Sequence, residues 1–195
     1  MGEIKSAWER ALERADKLGK LSEEESDKLK YVPMGNILAT KYLSGESRDI
    51  KAELTKYKGN RAIKYIVEGI QETLLRNIFL PRKGQDVKIT DKAMQGIKLI
   101  KENEKQLSGI LGQISTLFEY YNQALQQAYT QLKSNFEAQL QSATAAMEQQ
   151  AGRRVSIDVE RQPQFQEAWM QTSSQLNAQY EKVLQEQKEK ILQVS

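Results

Sequence analysis

Two pairs of acids are spaced for acid–base work. Glu68 and Glu72 stand four residues apart, and Glu102 and Glu104 stand two apart. On a helix the first pair would share a face, where one carboxyl donates a proton and the other accepts one. Lys64, four residues before Glu68, offers the plainer reading of a solvated ion pair. Nothing else in the chain adds to an acid–base pair. There is no histidine and no cysteine. An imidazole base, a thiolate nucleophile, a disulfide, a Cys/His zinc site and a Glu-x-x-His di-iron site are therefore all excluded. No Walker loop, Gly-x-Gly-x-x-Gly, EF-hand loop or Gly-x-Ser-x-Gly occurs. Glu23-Glu24-Glu25 suits the positive end of a helix rather than a site. Arg153-Arg154-Val155-Ser156 has the form of a basic kinase substrate, a short and common pattern. The expectation is a protein that is not an enzyme and holds neither cofactor nor metal.

Charge and length narrow the remaining classes. The 195 residues carry a formal charge of +3. Residues 1–90 hold 18 Lys+Arg against 14 Asp+Glu, and residues 91–195 hold 11 against 12. Basic residues alternate with acids in the first part instead of clustering on a face, so nucleic-acid binding there is only a second alternative. Met1-Gly2-Glu3-Ile4-Lys5 runs straight into mixed charge without an apolar core, which speaks against a secretory signal. No apolar run approaches the roughly 20 residues that span a bilayer. A soluble, cytoplasmic protein is expected.

Three parts are expected: short helices over residues 1–80, a connection at 81–90, and a long helical hairpin over 91–195. Ile4, Ala7, Trp8, Ala11, Leu12, Ala15 and Leu18 repeat at helical spacing, with Gly19 as a C-terminal stop. Ser22 and Glu25 form a capping box opening a second helix, predicted to end before Pro33. Met34 to Leu43 makes a third, stopped by Ser44-Gly45. Ile50, Leu54 and Tyr57 mark a fourth, closed by Gly59. Ile63, Ile66, Val67, Ile70, Leu74 and Ile78 form the strongest stripe of this part, ending at Pro81. Val87 and Ile89 alternate briefly before Thr90, the predicted cap of the next helix.

Composition changes near residue 105, beyond which lie 19 of the 22 glutamines. There the apolar residues recur every eleven. Leu107, Phe118, Tyr129, Leu140 and Ala151 form one row; Ile110, Tyr121, Leu132 and Ala143 a second; Ile114, Leu125, Phe136 and Met147 a third. Eleven residues in three turns is close to the relaxed helix, so the stripe runs nearly parallel to the axis. A helix over residues 91–150 would be about 90 Å long, with Gly96, Gly109 and Gly112 as its weak points. Such a helix needs a partner along its stripe.

Beyond Pro163 the period returns in Phe165, Leu176 and Gln187, in Trp169, Tyr180 and Ile191, and in Thr172, Val183 and Val194. A second helix over 164–193 should fold back antiparallel on the first. Counting outward from the turn sets Met147 near Trp169, Leu140 near Leu176, Phe136 near Tyr180 and Leu125 near Ile191. Between the helices, Val155, Ile157 and Val159 alternate with polar residues as in a strand, which would either pair between chains or form an extended loop with its three apolar side chains tucked over the hairpin tip. The tail helix, half as long, should stop near Tyr121. That leaves Leu107, Ile110, Leu111, Ile114, Leu117 and Phe118 for another cover, and with Tyr121 and Leu125 these are the proposed interface. The fold class is thus all-α, with a coiled-coil-like hairpin.

The opening residues, MGEIKSAWERALERADKLGKLSEEE, resemble the start of an uncharacterised bacterial family of short helical proteins, which implies no function. The helix–strand–helix order of the second part is similar in outline to prefoldin-like chaperones, which carry β-hairpins where this chain has one strand-like run. The function expected is a scaffold or oligomerisation protein, a homodimer or higher homo-oligomer with room for a further protein partner. A chaperone-like or surface-coating protein presenting the stripe is the alternative.

Overall fold

The computed structural model describes residues 22–46, 49–82, 87–151 and 158–194, with the backbone alone of 144–151. The expected helix from Ile4 to Leu18 lies outside the described residues, as do Val155, Ile157 and the Arg153–Ser156 motif. Among the described residues six α-helices follow one another: α1 Glu23–Ser44, α2 Ile50–Thr55, α3 Ile63–Arg76, α4 Val87–Ile100, α5 Glu104–Ala151 and α6 Pro163–Gln193. A 3-10 turn, Val159–Arg161, precedes α6, and there is no strand among these residues. The fold is all-α. It divides into two compact units, one ending at Leu74 and the other beginning at Leu75.

In the first unit the Ser22 hydroxyl accepts from the Glu25 amide at 3.2 Å, while the Glu25 carboxylate accepts from the Ser22 amide at 2.9 Å. This reciprocal cap satisfies two of the orphan donors at the start of α1. The helix then runs through Pro33 to Ser44, where Gly45 takes the left-handed conformation at φ 88°. The sequence predicts two helices meeting at Pro33, and the structure has one. The reason lies in α3. A side chain on Gly35 would sit 2.1 Å from the Ile66 carbonyl oxygen, and one on Gly69 2.1 Å from that of Val32. The two backbones therefore touch across the proline, and packing on both sides of it outweighs the hydrogen bond that Pro33 cannot make.

The pairs along this contact advance together, so α1 and α3 run parallel. Lys64 meets Glu24 at 3.2 Å, Lys28 meets Glu68 at 2.6 Å, and Thr73 donates to the Asn36 side chain at 3.1 Å. Lys64 thus pairs across to α1, and Lys28 takes the place beside Glu68 that the spacing predicts for Lys64. The apolar side of α3 is buried at Ile66, Ile70 and Leu74, with Ala39, Tyr42, Ile50, Ala62 and Tyr65.

In the second unit Val87 and Ile89 are not extended but open α4. Thr90 is not the cap of α4 but lies within it, buried with Ala93 and Ile97, its hydroxyl donating to the Asn77 carbonyl at 3.2 Å. Helical burial at 90, 93 and 97 overrides a two-residue alternation too short to pair. The long helix expected over 91–150 is broken at residues 101–103, where the Asn103 side chain accepts from the Gln106 amide at 3.1 Å and starts α5. Gly96, Gly109 and Gly112 are all within helices. After the break α4 folds back along α5: Asp91, Met94 and Lys98 share one groove with Ser108, Leu111 and Ser115.

Gly35→Ala and Gly69→Ala should each destabilise the chain by about 3 kcal/mol, since a methyl group has only backbone to displace. Gly109→Ala and Gly112→Ala meet nothing within 4 Å and should stabilise it by roughly 0.5–1 kcal/mol through helix propensity. Urea unfolding followed by circular dichroism separates the two pairs by sign.

Candidate interaction surface along the long hairpin

The stripe of α5 is where any contact chemistry must sit, and α6 determines how much of it is free. Over its 48 residues α5 extends about 72 Å, against about 46 Å for the 31 residues of α6. The two run antiparallel on aromatic edges. Tyr121 meets Tyr180 at 5.4 Å between ring centroids, Tyr129 meets Trp169 at 5.1 Å, and Phe136 meets Phe165 at 5.5 Å, all edge to face. Each such pair adds roughly 0.5–1.5 kcal/mol beyond its buried area.

These contacts overturn the expected register. Phe136 faces Phe165 rather than Tyr180, and Trp169 faces Tyr129 rather than Met147, a slide of about four helical turns. Counting outward from the turn assumes that both helices end there together. In fact the returning chain is fastened well back along α5. Lys133 holds the Glu160 carboxylate at 2.6 Å, Tyr129 also hydrogen-bonds it, and Val159 is buried beside them. Val159, expected in a strand, is the first residue of the 3-10 turn, which Asp158 caps through the Glu160 amide.

The slide changes what the tail covers. Lys101, in the break before α5, donates to the Val194 carbonyl just past the end of α6. Between that contact and Tyr121 the α5 stripe lies under the last turns of α6, where Leu184, Ile191 and Val194 are buried. Leu107, Ile110, Leu111, Ile114 and Tyr121 are consequently buried within the chain, and Leu117, Phe118 and Leu125 are half-buried. The expectation that the tail stops near Tyr121 is corrected, and of the eight residues proposed as interface only Leu117, Phe118 and Leu125 remain within a partner's reach.

A polar cluster closes the covered part. The Tyr121 hydroxyl donates to the Asn177 side-chain oxygen at 2.6 Å, and Arg82 meets Glu181 at 2.9 Å. Burial pushes the Tyr121 hydroxyl up, opposed by the nearby Arg82 guanidinium. Beyond this cluster the cover thins. Leu125, Tyr129, Leu132 and Phe136 of α5 are each half-buried, as are Trp169 and Leu176 of α6, and Met170 is exposed. Only Phe165 is fully buried in the run opposite Leu125–Phe136.

Neither acid pair assembles a reaction centre. Glu68 is committed to Lys28, and Glu102 lies in the break before α5. Among the described residues no three or more acids gather where they could hold a metal ion. No helix among them is long and apolar enough to cross a membrane. The fastening of Glu160 and the Arg82–Glu181 pair are not among the contacts that the apolar pattern predicts. The signal for the first is present in Asp158 two residues before Glu160, a turn-capping spacing masked by the apolar alternation.

The chain belongs to a family of unknown function (DUF6657), which matches residues 51–193. An uncharacterised family is what the opening residues also imply, although the match lies downstream of them and takes in α2 to α6. No curated protein and no solved structure matches the chain.

Hydrogen bonds from Lys133, then Tyr129, hold the Glu160 carboxyl below the usual carboxylate range. Its contribution is present above the ordinary pKa of about 4.3 and is lost as pH falls through the lowered folded value. Glu160→Gln should therefore lower the urea midpoint at pH 7, and the gap to wild type should close below about pH 4. A gap independent of pH would contradict the assignment.

Proposed function

We propose that this family member is a non-enzymatic helical scaffold that works in the cytoplasm through protein–protein contacts, its first partner being a second copy of itself. One observation carries the reading: the run from Leu125 to Phe136, with Trp169 and Leu176 across from it, leaves its large apolar side chains half-covered. Two helices bury only the side of each that faces the other. Two such hairpins laid together make a four-helix arrangement that completes the cover.

The dimensions support a copy as partner. Residues 122–137 extend about 24 Å, and two helices side by side are about 20 Å wide. The face is then about 500 Å² on each copy, or about 1,000 Å² in all, the lower bound for a specific interface. The glutamine-rich outer surface keeps such a structure soluble without charge repulsion.

The competing readings have weaker support. Four of the six residues in the stripe expected to meet an apolar client, Leu107, Ile110, Leu111 and Ile114, are buried. In the first unit Lys28, Lys56, Arg61 and Lys64 are each paired to acids, so the charge of these four is already answered within the chain.

Sedimentation equilibrium provides the test. The wild type should be dimeric at about 10 µM, and Leu125→Glu or Leu132→Glu should weaken association at least ~30-fold, equivalent to one ~2 kcal/mol hot spot, at unchanged helicity. A monomeric wild type overturns self-association. If that monomer also binds a hydrophobic dye saturably, the apolar-client reading takes its place.

A further inference from the structure

One row of side chains along the outside of α4 is left unanswered. Val87, Asp91, Met94 and Lys98 fall within about 60° of one another around the helix. Val87 is 47% exposed, Asp91 and Lys98 are exposed, and Met94 is half-buried. The two charges stand about 10 Å apart, two helical turns, too far to meet each other. Among the described residues no ion pair takes in either of them. The row forms one wall of the groove against α5, which encloses about 380 Å³. The facing wall is low: a side chain added at Gly112, between Ser108 and Ser115, would meet nothing within 4 Å.

We propose that this groove is a second contact between copies of the chain, in which α4 of each lies antiparallel in the groove of the other about a two-fold axis passing between Met94 and Gln95. Charge identifies the occupant. Asp91 and Lys98 stand equally far to either side of that axis, so the rotation sets Asp91 of each copy on Lys98 of the other, twice over. An unrelated helix would have to carry the reversed pair at the same spacing, which a second copy does by symmetry. Relief agrees with charge. The same rotation carries Met94 of each copy over the open notch at Gly112 of the other, a knob for a hole. Size sets the strength. The 14 residues of α4 extend about 21 Å, and two helices side by side are about 20 Å wide. The contact then buries about 840 Å² in all, below the lower bound for a stable interface. It is a weak contact, on the order of 100 µM, that carries association past the hairpin dimer without depending on it.

The two contacts can be tested apart, because Leu125→Glu disables the hairpin face alone. In the full-length Leu125→Glu chain, sedimentation equilibrium at about 200 µM should still show dimers. Asp91→Lys sets lysine on lysine and Lys98→Asp sets aspartate on aspartate, and each should weaken that association at least ~10-fold. The double exchange, Asp91→Lys with Lys98→Asp, should restore it to within ~3-fold of the Leu125→Glu parent. Both positions are exposed, so helicity should not change. A monomeric Leu125→Glu chain overturns the proposal and leaves the hairpin contact standing. Single exchanges without effect, or a double exchange as weak as the singles, overturn it as well. An independent readout uses the absence of cysteine from the chain. Gln95→Cys, beside the axis, should form a disulfide between copies at least ~10-fold faster than Lys88→Cys, whose two copies would stand about 20 Å apart along the helices. Equal rates for the two also overturn the proposal.

Discussion

The position at which the returning chain is fastened to α5 governs the second unit. Lys133 and Tyr129 hold Glu160, and from that point α6 can only run back along α5 with Phe165 against Phe136 and Trp169 against Tyr129. Because the start is fixed there, the end of α6 arrives at Lys101. The stripe from Leu107 to Ile114 is covered as a result. Had the return been made further out, the same residues would face water, and the exposed part of the seam would lie at its opposite end. The point of return thus sets which part of the apolar seam α6 buries and which part stays half-covered.

Much of this is legible in the sequence, and the failures have physical causes. Period and punctuation give the helices: Ser22 with Glu25 starts α1, Gly45 ends it, and Pro163 starts α6. Tertiary contact overrides the punctuation twice. Pro33 does not end a helix whose backbone lies against Gly69, and Val87 to Ile89 does not form a strand when Thr90, Ala93 and Ile97 have a buried face to fill. The break at 101–103 comes from Asn103 and Gln106, a cap inside a long helical pattern, and in the sequence alone the pattern outweighs the cap.

Gly35 and Gly69 show the limit from the other side. Neither interrupts a periodic stripe, so a glycine there reads as a neutral weakness in a helix. The structure gives them a role that depends on a partner thirty-four residues away, since the close approach of α1 and α3 requires hydrogen at both positions. Such a requirement belongs to the pair, and a single position read by itself does not carry it.

The register error has the same root. An eleven-residue repeat keeps its apolar rows aligned with the helix axis. Sliding one helix past the other by a whole number of turns therefore presents the same kinds of residues to the seam, and hydrophobic matching alone scores the offsets nearly alike. The expected and observed registers differ by about four turns, one such slide. What separates them is not periodic: Glu160 on Lys133, Arg82 on Glu181, Tyr121 on Asn177. In a seam built on so regular a repeat, the few polar contacts that occur once carry the positional information, and the many apolar ones carry the burial.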